Sequence, residues 1–454
     1  MLDDPISLRN GPGCLLAFLP YPDPDALAAT AVALANTDGG AIVIGLDDDG
    51  AYTGPPDNAE VERALRLAAD RCTPAIAFGR PEPLDTAYGS AVAVRVPRST
   101  HVHALPDGQV LVRSASGNRA LSGDEIRALL TQRANGDFDA EVVPGARISD
   151  LDPELLADFV VARARRLGRH SSGIPLMEIG AVTPDYRVTV AGILLFGRDP
   201  QRWLPHSEVR FARFVGQRAP GKNGTFPAFE QALGGAAVRQ IEGLWGLIRE
   251  QMRSHAPADA PREADYPTDA VREVLLNAIC HRDYRLRGDS IVVRMFANRL
   301  EIASPGGLPG FMTTAEHLVT HRYCRNPLLS QSLWQWGYGE GTGQGLRRLF
   351  DRMSEVTHRP VEIDVQPYRV TVRLYNACET CEDPADSASA GGLNERQRVA
   401  LAYARDHGSL TIHEFRTLCG DVSPDVLQRD LADLVKRGHL RRIGARASAY
   451  YILP

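Results

Sequence analysis

Thr268–Tyr284 reads TDAVREVLLNAICHRDY. Val271, Val274, Leu275, Ala278 and Ile279 fall at i, i+3, i+4, i+7 and i+8, one apolar stripe of an amphipathic helix. Thr268 or Asp269 can cap its start. Glu273 and Asn277 are four apart and His281 four further on, so the three stack along a second face. A carboxylate and an amide displayed one turn apart are the parts needed to hold a metal ion and orient a water. The same pair, alone, is more often the solvent face of an ordinary helix. The sequence on either side decides between the two.

Downstream, Ser290–Phe296 alternates as a strand, Asn298-Arg299 turns, and Leu300–Ala303 returns as its hairpin partner. Ser304–Gly310 (SPGGLPG) is too glycine-rich for regular structure. Arg325-Asn326-Pro327 opens a helix, Leu328–Trp336, and Gly339–Gly345 (GEGTGQG) runs directly into another, Leu346–Met353. Strands at Val361–Val365 and Arg369–Tyr375 follow. Glycines immediately before a helix let backbone N–H groups turn inward and cradle phosphate, helped by the dipole at the helix start. One such loop is a weak signal. A Glu/Asn helix, then SPGGLPG, then GEGTGQGL is a stronger one.

That order resembles the GHKL ATP-binding fold of gyrase, Hsp90, MutL and histidine kinases, and most closely its HATPase_c_4 branch; EVLLNAICHRDY, EIASPGGLPG, RNPLL and GTGQGL carry the resemblance over 263–376. It implies ATP and Mg²⁺ as cofactors. Asn277 would chelate Mg²⁺ between the phosphates, and Glu273 would polarise the attacking water if hydrolysis occurs. Gly306 and Gly307 would line the adenine side, and Gly341, Thr342, Gly343 and Gly345 the phosphate lid. Where the wider family has an adenine-binding aspartate, this chain has Ser304, whose hydroxyl lacks charge-assisted strength. His281-Arg282-Asp283 matches the kinase H-R-D only superficially, since no lysine strand or D-F-G accompanies it. His281 is expected to pack at the helix end and Asp283 to cap or pair. Arg325 could reach a phosphate or belong to a cap around Asn326-Pro327.

Upstream, a helix at Ala26–Leu34 runs into the turn Asn36–Gly40 and the apolar strand Ala41–Leu46, then an Asp47–Gly50 hairpin turn. A helix over Asn58–Cys72, strands at Ala91–Val96 and Gln109–Val112, and a helix from Ser122 complete the stretch. ALANTDGGAIVIGLDDDGAYTG resembles the AlbA_2, Schlafen-type, DNA-binding domain, assigned to 1–133. That family usually opens with a glutamate. Cys14–Phe18 (CLLAF) has no carboxylate, so nuclease activity is not expected. Arg113 and Arg119 are the candidates for phosphate contact there. Residues 134–262 read as linker and connector: a helix at Pro153–Leu167, a buried strand at Thr189–Phe196 (TVAGILLF), a strand at Val209–Val215 and a helix at Ala237–Gln251. The segment is similar to the region preceding the ATPase-like domain in RecG-related transcriptional regulators.

Residues 377–392 are acidic and then Ser/Ala/Gly-rich, a flexible linker by composition. Past it, helices at Asn394–His407, Thr411–Cys419 and Ser423–Arg437 and a hairpin, Leu440–Arg442 with Ala449–Ile452, resemble a winged helix-turn-helix over 393–454. Gln428, Arg429 and Lys436 fall on exposed faces of the third helix; Arg441, Arg442 and Arg446 make a basic wing suited to DNA phosphates. Winged helices also dock proteins, so that alternative stays open.

The totals bound these readings. At 454 residues the chain exceeds one core, and 44% hydrophobic with 24% charged residues is ordinary for a water-soluble chain. No window is long and apolar enough for a membrane span, the start MLDDPISLRN is not signal-like, and seven scattered cysteines suit a reducing cytoplasm. Net charge is −5, so nucleic-acid contact has to be local. Lys222 and Lys436 are the only lysines, and Gly221-Lys222-Asn223 lacks the spacing of a phosphate-loop motif, which excludes a P-loop motor. The expectation is an α+β multidomain chain: AlbA_2-like α/β domain, connector, GHKL-like α/β sandwich, flexible linker and winged helix. Its expected partners are double-stranded DNA and ATP, with a homodimer by analogy. The leading function is an ATP-binding transcriptional regulator; the alternatives are an ATPase acting on nucleic acid and an adaptor with a degenerate pocket.

Overall fold

The structure is a computed structural model describing residues 8, 11–168, 174–214, 227–255, 266–339, 345–376, 393–419, 422–444 and 449–454. Among them it is a mixed α+β chain with several sheets and fourteen α-helices.

The first unit begins with a strand–helix–strand turn. Strand β1 (Leu16–Leu19) leads through α1 (Pro24–Ala35) to β2 (Gly40–Ile44), which lies parallel to β1. Asp23 starts α1 by accepting from the N–H groups of Asp25 and Ala26. Beyond β2 come α2 (Asn58–Asp70), β3 (Glu82–Thr86) and β4 (Gly89–Val96), giving a sheet ordered β1-β2-β4-β3. A separate hairpin, β5 (Leu111–Ser114) and β6 (Gly117–Ala120), precedes α3 (Gly123–Ala134). The turn Asn36–Gly39 between α1 and β2 is buried rather than exposed. Gly39 sits at φ +74°, and a Cβ there would lie 2.5 Å from the Arg98 nitrogen, so only glycine fits. Asn36 donates to His103 O and Leu111 O and accepts from His103 N, fixing the turn to the following loops.

The middle of the chain forms one core running from Phe138 to Leu374. Its elements are α4 (Pro153–Leu167), α5 (Pro175–Glu178), α6 (Val190–Phe196), β7 (Val209–Arg213), β8 (Phe229–Leu233), α7 (Ala237–His255), α8 (Thr268–His281), β9 (Ile291–Met295) and β10 (Arg299–Pro305). Then come α9 (Ala315–Thr320), α10 (Pro327–Trp336), α11 (Gly345–Thr357), β11 (Glu362–Gln366) and β12 (Arg369–Tyr375). Six strands make one sheet, ordered β11-β12-β10-β9-β7-β8, antiparallel except where β7 meets β9. The sheet therefore crosses the expected boundary at 262: β7 and β8, read as connector, extend the hairpin that follows α8.

One expectation is overturned. Thr189–Phe196 is not a buried strand. Residues Val190–Phe196 are helical, all seven buried, with the Thr189 hydroxyl accepting from Gly192 N at 3.2 Å. A short run that is apolar on every side fits a fully buried helix as well as a buried strand, and periodicity cannot separate them. Packing decides, because Phe196 meets Phe159 and Trp336 with ring centroids 5.4 Å away in each case.

The last described unit holds α12 (Glu395–His407), β13 (Leu410–Thr411), α13 (Ile412–Cys419), α14 (Pro424–Lys436), β14 (Arg441–Ile443) and β15 (Tyr450–Ile452). Its sheet is β13-β15-β14, one strand more than the expected hairpin. Leu427, Leu431 and Leu434 of α14 face its small core. The expected linker at 377–392 lies outside the described residues.

Asp139 is a buried acid at the seam between the first two units. Its Oδ2 accepts from Leu329 N at 3.0 Å, capping α10, while Oδ1 has no partner among the described residues. Burial, first, and the nearby Asp137 push its pKa up to about 7. The folded chain thus holds this proton above the ordinary carboxylate range, and stability falls as pH rises from about 4 through 7. Asp139→Asn should stabilise the chain at pH 8 by roughly 2–4 kcal/mol, with the gain shrinking as pH falls from 7 towards 4. Thermal melting of both proteins across that range checks it.

Candidate nucleotide site

Helix α8 lays its apolar stripe into the middle core and packs against α7, α11 and β10. Its second face carries Glu273, Asn277 and His281, as the spacing predicts. The Asn277 amide donates to Glu273 Oε1 at 3.2 Å, which leaves the amide oxygen available as an acceptor or ligand. Burial raises the pKa of Glu273; the bond from Asn277 and the charges of Arg348 and Arg322 only partly oppose this. Gly345, the first residue of α11, rests directly on that carboxylate, and a Cβ there would overlap Glu273 Oε1. A glycine helix start and a carboxylate/amide pair therefore meet across 72 residues of sequence. Gly341, Thr342 and Gly343 lie outside the described residues.

The other end of the site differs from expectation. Ser304, at the end of β10, is buried and donates its hydroxyl to Ala278 O at 2.8 Å, tying the sheet to α8. Gly306 sits at φ +112°, and the guanidinium of Arg325 occupies the space a side chain would need. Arg325 donates from Nη2 to Gly307 O at 2.7 Å and from Nη1 to His281 O at 3.3 Å. Gly307 is closed on its other side, since a Cβ there would lie 2.5 Å from Pro367 O. His281 is enclosed at this junction; burial, and then the Arg325 charge, lower its pKa to about 4, so it is neutral at ordinary pH. Asn326 does not cap its own helix. It donates to Cys280 O and Arg282 O, satisfying the carboxyl end of α8.

Elsewhere the candidates divide. Arg113 is buried and donates to Gly13 O, Leu16 O and Asn118 Oδ1, while Arg119 pairs with Glu125 and donates to His321. Both expected phosphate contacts are thus committed internally, Arg113 chiefly to backbone carbonyls and Arg119 to the Glu125 and His321 side chains. Asp47 accepts from Asp49 N and Ala51 N, as a turn residue does. On α14, Gln428, Arg429 and Lys436 are exposed, and Arg441 and Arg442 stand exposed on β14. Asp430 and Asp433 turn instead towards α12, where they accept from Arg396 and Gln397. Arg446 lies outside the described residues. No group of three or more His, Cys, Asp or Glu side chains suited to a metal occurs among the described residues, and no described helix is long and apolar enough to cross a membrane.

Two family models match this chain. Residues 18–122 match the family described as "Schlafen, AlbA_2", and residues 288–374 match HATPase_c_4, described as "Putative ATP-dependent DNA helicase recG C-terminal". These are the two families that the ALANTDGG and SPGGLPG…GTGQGL motifs resemble. The second match begins beyond α8, so Glu273 and Asn277 rest on geometry alone. No curated protein matches the chain. Among solved structures it is similar to the DIP2311 protein from Corynebacterium diphtheriae, at 18% identity and a TM-score of 0.45, over 97% of this chain and 95% of that one.

Ser304→Ala should cost about 1 kcal/mol, the usual worth of one hydrogen bond. Ser304→Asp, restoring the wider family's residue, should cost more than Ser304→Ala, because it sets a carboxylate against the Ala278 carbonyl oxygen. Urea unfolding of the two variants measures the order.

Proposed function

We propose that this chain is a DNA-binding transcriptional regulator whose middle unit binds ATP with Mg²⁺ and whose domain arrangement responds to it. The observation that carries the proposal is the hydrogen-bonded Glu273–Asn277 pair set against the glycine start of α11. An amide oxygen beside a carboxylate suits a hard divalent cation, and the N–H groups of a helix start suit phosphate. The phosphate end therefore fits the group that the HATPase_c_4 family implies. The base end, with Arg325 against Gly306 and the Ser304 hydroxyl turned to Ala278, does not fit an adenine in the arrangement described.

Bound MgATP would supply a concentrated negative charge and a divalent cation. Asn277 would hold the cation through its amide oxygen. Glu273, with its pKa raised by burial, is a better proton acceptor than an exposed glutamate, and any hydrolysis would draw on it. DNA would be held by a winged-helix C-terminal unit: Gln428, Arg429 and Lys436 on α14 facing the groove, with Arg441 and Arg442 on phosphate. The inward turn of Asp430 and Asp433 supports this, since it leaves the outer face of α14 without their charge. One observation favours the alternative of an adaptor with a closed pocket, namely the guanidinium at Gly306.

In the full chain, saturable MgATP binding should weaken at least about tenfold in Asn277→Ala, while Glu273→Ala keeps binding and loses any turnover. Isothermal titration with a phosphate-release assay separates these, and sustained fast turnover would make the chain an enzyme rather than a regulator. Reversing both Arg441 and Arg442 to Glu should weaken a DNA gel shift by at least about tenfold and flatten the salt dependence of the binding that remains. An unchanged shift would rule out the C-terminal unit as the DNA contact.

A further inference from the structure

We infer that Arg325 is a gate over the base end of the nucleotide site, held shut by the first unit through Asp38, so that nucleotide entry and docking of that unit oppose each other. The inference rests on the nucleotide reading above and deepens it.

Asp38 belongs to the buried turn before β2, and its side chain has no exposed surface. Its carboxylate accepts from Arg98 Nη1 at 2.7 Å within its own unit. From the middle unit it accepts from Arg322 Nε at 3.0 Å and the Cys324 N–H at 2.9 Å. Burial alone would raise its pKa, but Arg98 and Arg322 outweigh burial and hold it lowered, so it remains a carboxylate. Arg98 also donates to Cys324 O at 2.9 Å and to Asp137 at 2.7 Å. Between these contacts the Tyr323 ring lies under two cations, with Arg98 at 4.7 Å and Arg133 at 5.1 Å from its centroid. The first unit thus grips three consecutive residues: the side chain of Arg322, the ring of Tyr323, and both backbone groups of Cys324.

Arg325 is the next residue. Only 6% of it is exposed, and its guanidinium is enclosed by Gly306, Asp283 and the His281 and Gly307 carbonyls. Its Nε has no partner among the described residues. A shift of the Arg325 backbone would draw the guanidinium out of this enclosure, and that backbone is pinned one residue earlier. The grip extends back along the segment, where Ala115 N donates to Thr320 O at 2.9 Å and Phe311 and Met312 pack with Val110, Val112, Leu121 and Leu129. Opening the base end and loosening the first unit are one movement. By linkage, docking then weakens nucleotide binding by the factor with which nucleotide weakens docking.

The test uses the full chain as wild type, Asp38→Asn and Arg325→Ala, with circular dichroism confirming folding; Arg98→Gln, which loosens the same grip without touching the charge on Glu273, replaces Asp38→Asn should the latter fail to fold. MgATP affinity is measured by displacement of a fluorescent ATP analogue, and amide hydrogen exchange is followed over 310–324. If the gate is open in fewer than about one molecule in ten, both variants bind MgATP at least about tenfold tighter than wild type. Exchange at Cys324 rises in Asp38→Asn without nucleotide, and in wild type only with saturating MgATP. Equal affinity in all three proteins overturns the gate and leaves the nucleotide site standing. Tighter binding in Arg325→Ala alone overturns the link to Asp38. No binding in any of them, all folded, overturns the nucleotide reading and the gate with it.

Discussion

A carboxylate removed from water needs several donors, and Asp38 draws its donors from two units. That requirement fixes the relation of the first 134 residues to the rest. The turn carrying Asp38 must be buried, so Asn36 and Gly39 serve to hold it in place. Arg98 must stay charged, which brings Asp137 close. Asp139, two residues on, caps α10 and carries the chain from the first unit into the core of the second. An anion in a turn thus sets the seat of a domain.

How much of this could be read from the sequence varies with the range of the interaction. Local periodicity sufficed for α8, since its stripe at 271, 274, 275, 278 and 279 is buried as spaced, and the four-residue step brought Glu273 and Asn277 within a hydrogen bond. It failed for Val190–Phe196, where no polar residue marks a face and only contact with Phe159 and Trp336 selects a helix. That the sheet runs across residue 262 was invisible for a related reason. β7 alternates like any edge or central strand, and nothing local says that it pairs with β9 some eighty residues later.

The site divides along the same line. Glycine content marks where backbone or side chain must approach closely, and Gly345 against Glu273 is such a place. The letters do not say what approaches. Gly306 and Gly307 look open for a ligand in the sequence, whereas in the fold an arginine and a carbonyl oxygen fill their surroundings. Ser304 likewise has a hydroxyl whose direction, towards Ala278, follows only from β10 lying beside α8. Asp38 and Arg98 gave no sign of a role between units, because an aspartate before two glycines is an ordinary turn residue. An internal acidic partner for Arg119 was in range at Glu125, six residues on, and could have warned that this guanidinium was taken.

The two seams of the molecule have different physical character. Between α8 and the sheet the core is continuous and apolar, and nothing there can part without exposing it. Between the first unit and 310–325 the contact is a small apolar cluster around Phe311, Met312 and Tyr323 joined to a buried ion-pair network. Buried pairs of this kind contribute little net stability, because desolvation offsets most of the attraction, yet removing one partner is severe. Such a seam is specific without being strong. It holds one geometry while intact, and it parts at little cost only when each member finds a replacement partner or returns to water. The apolar seam fixes the pair Glu273–Asn277; the ionic seam is the one suited to move.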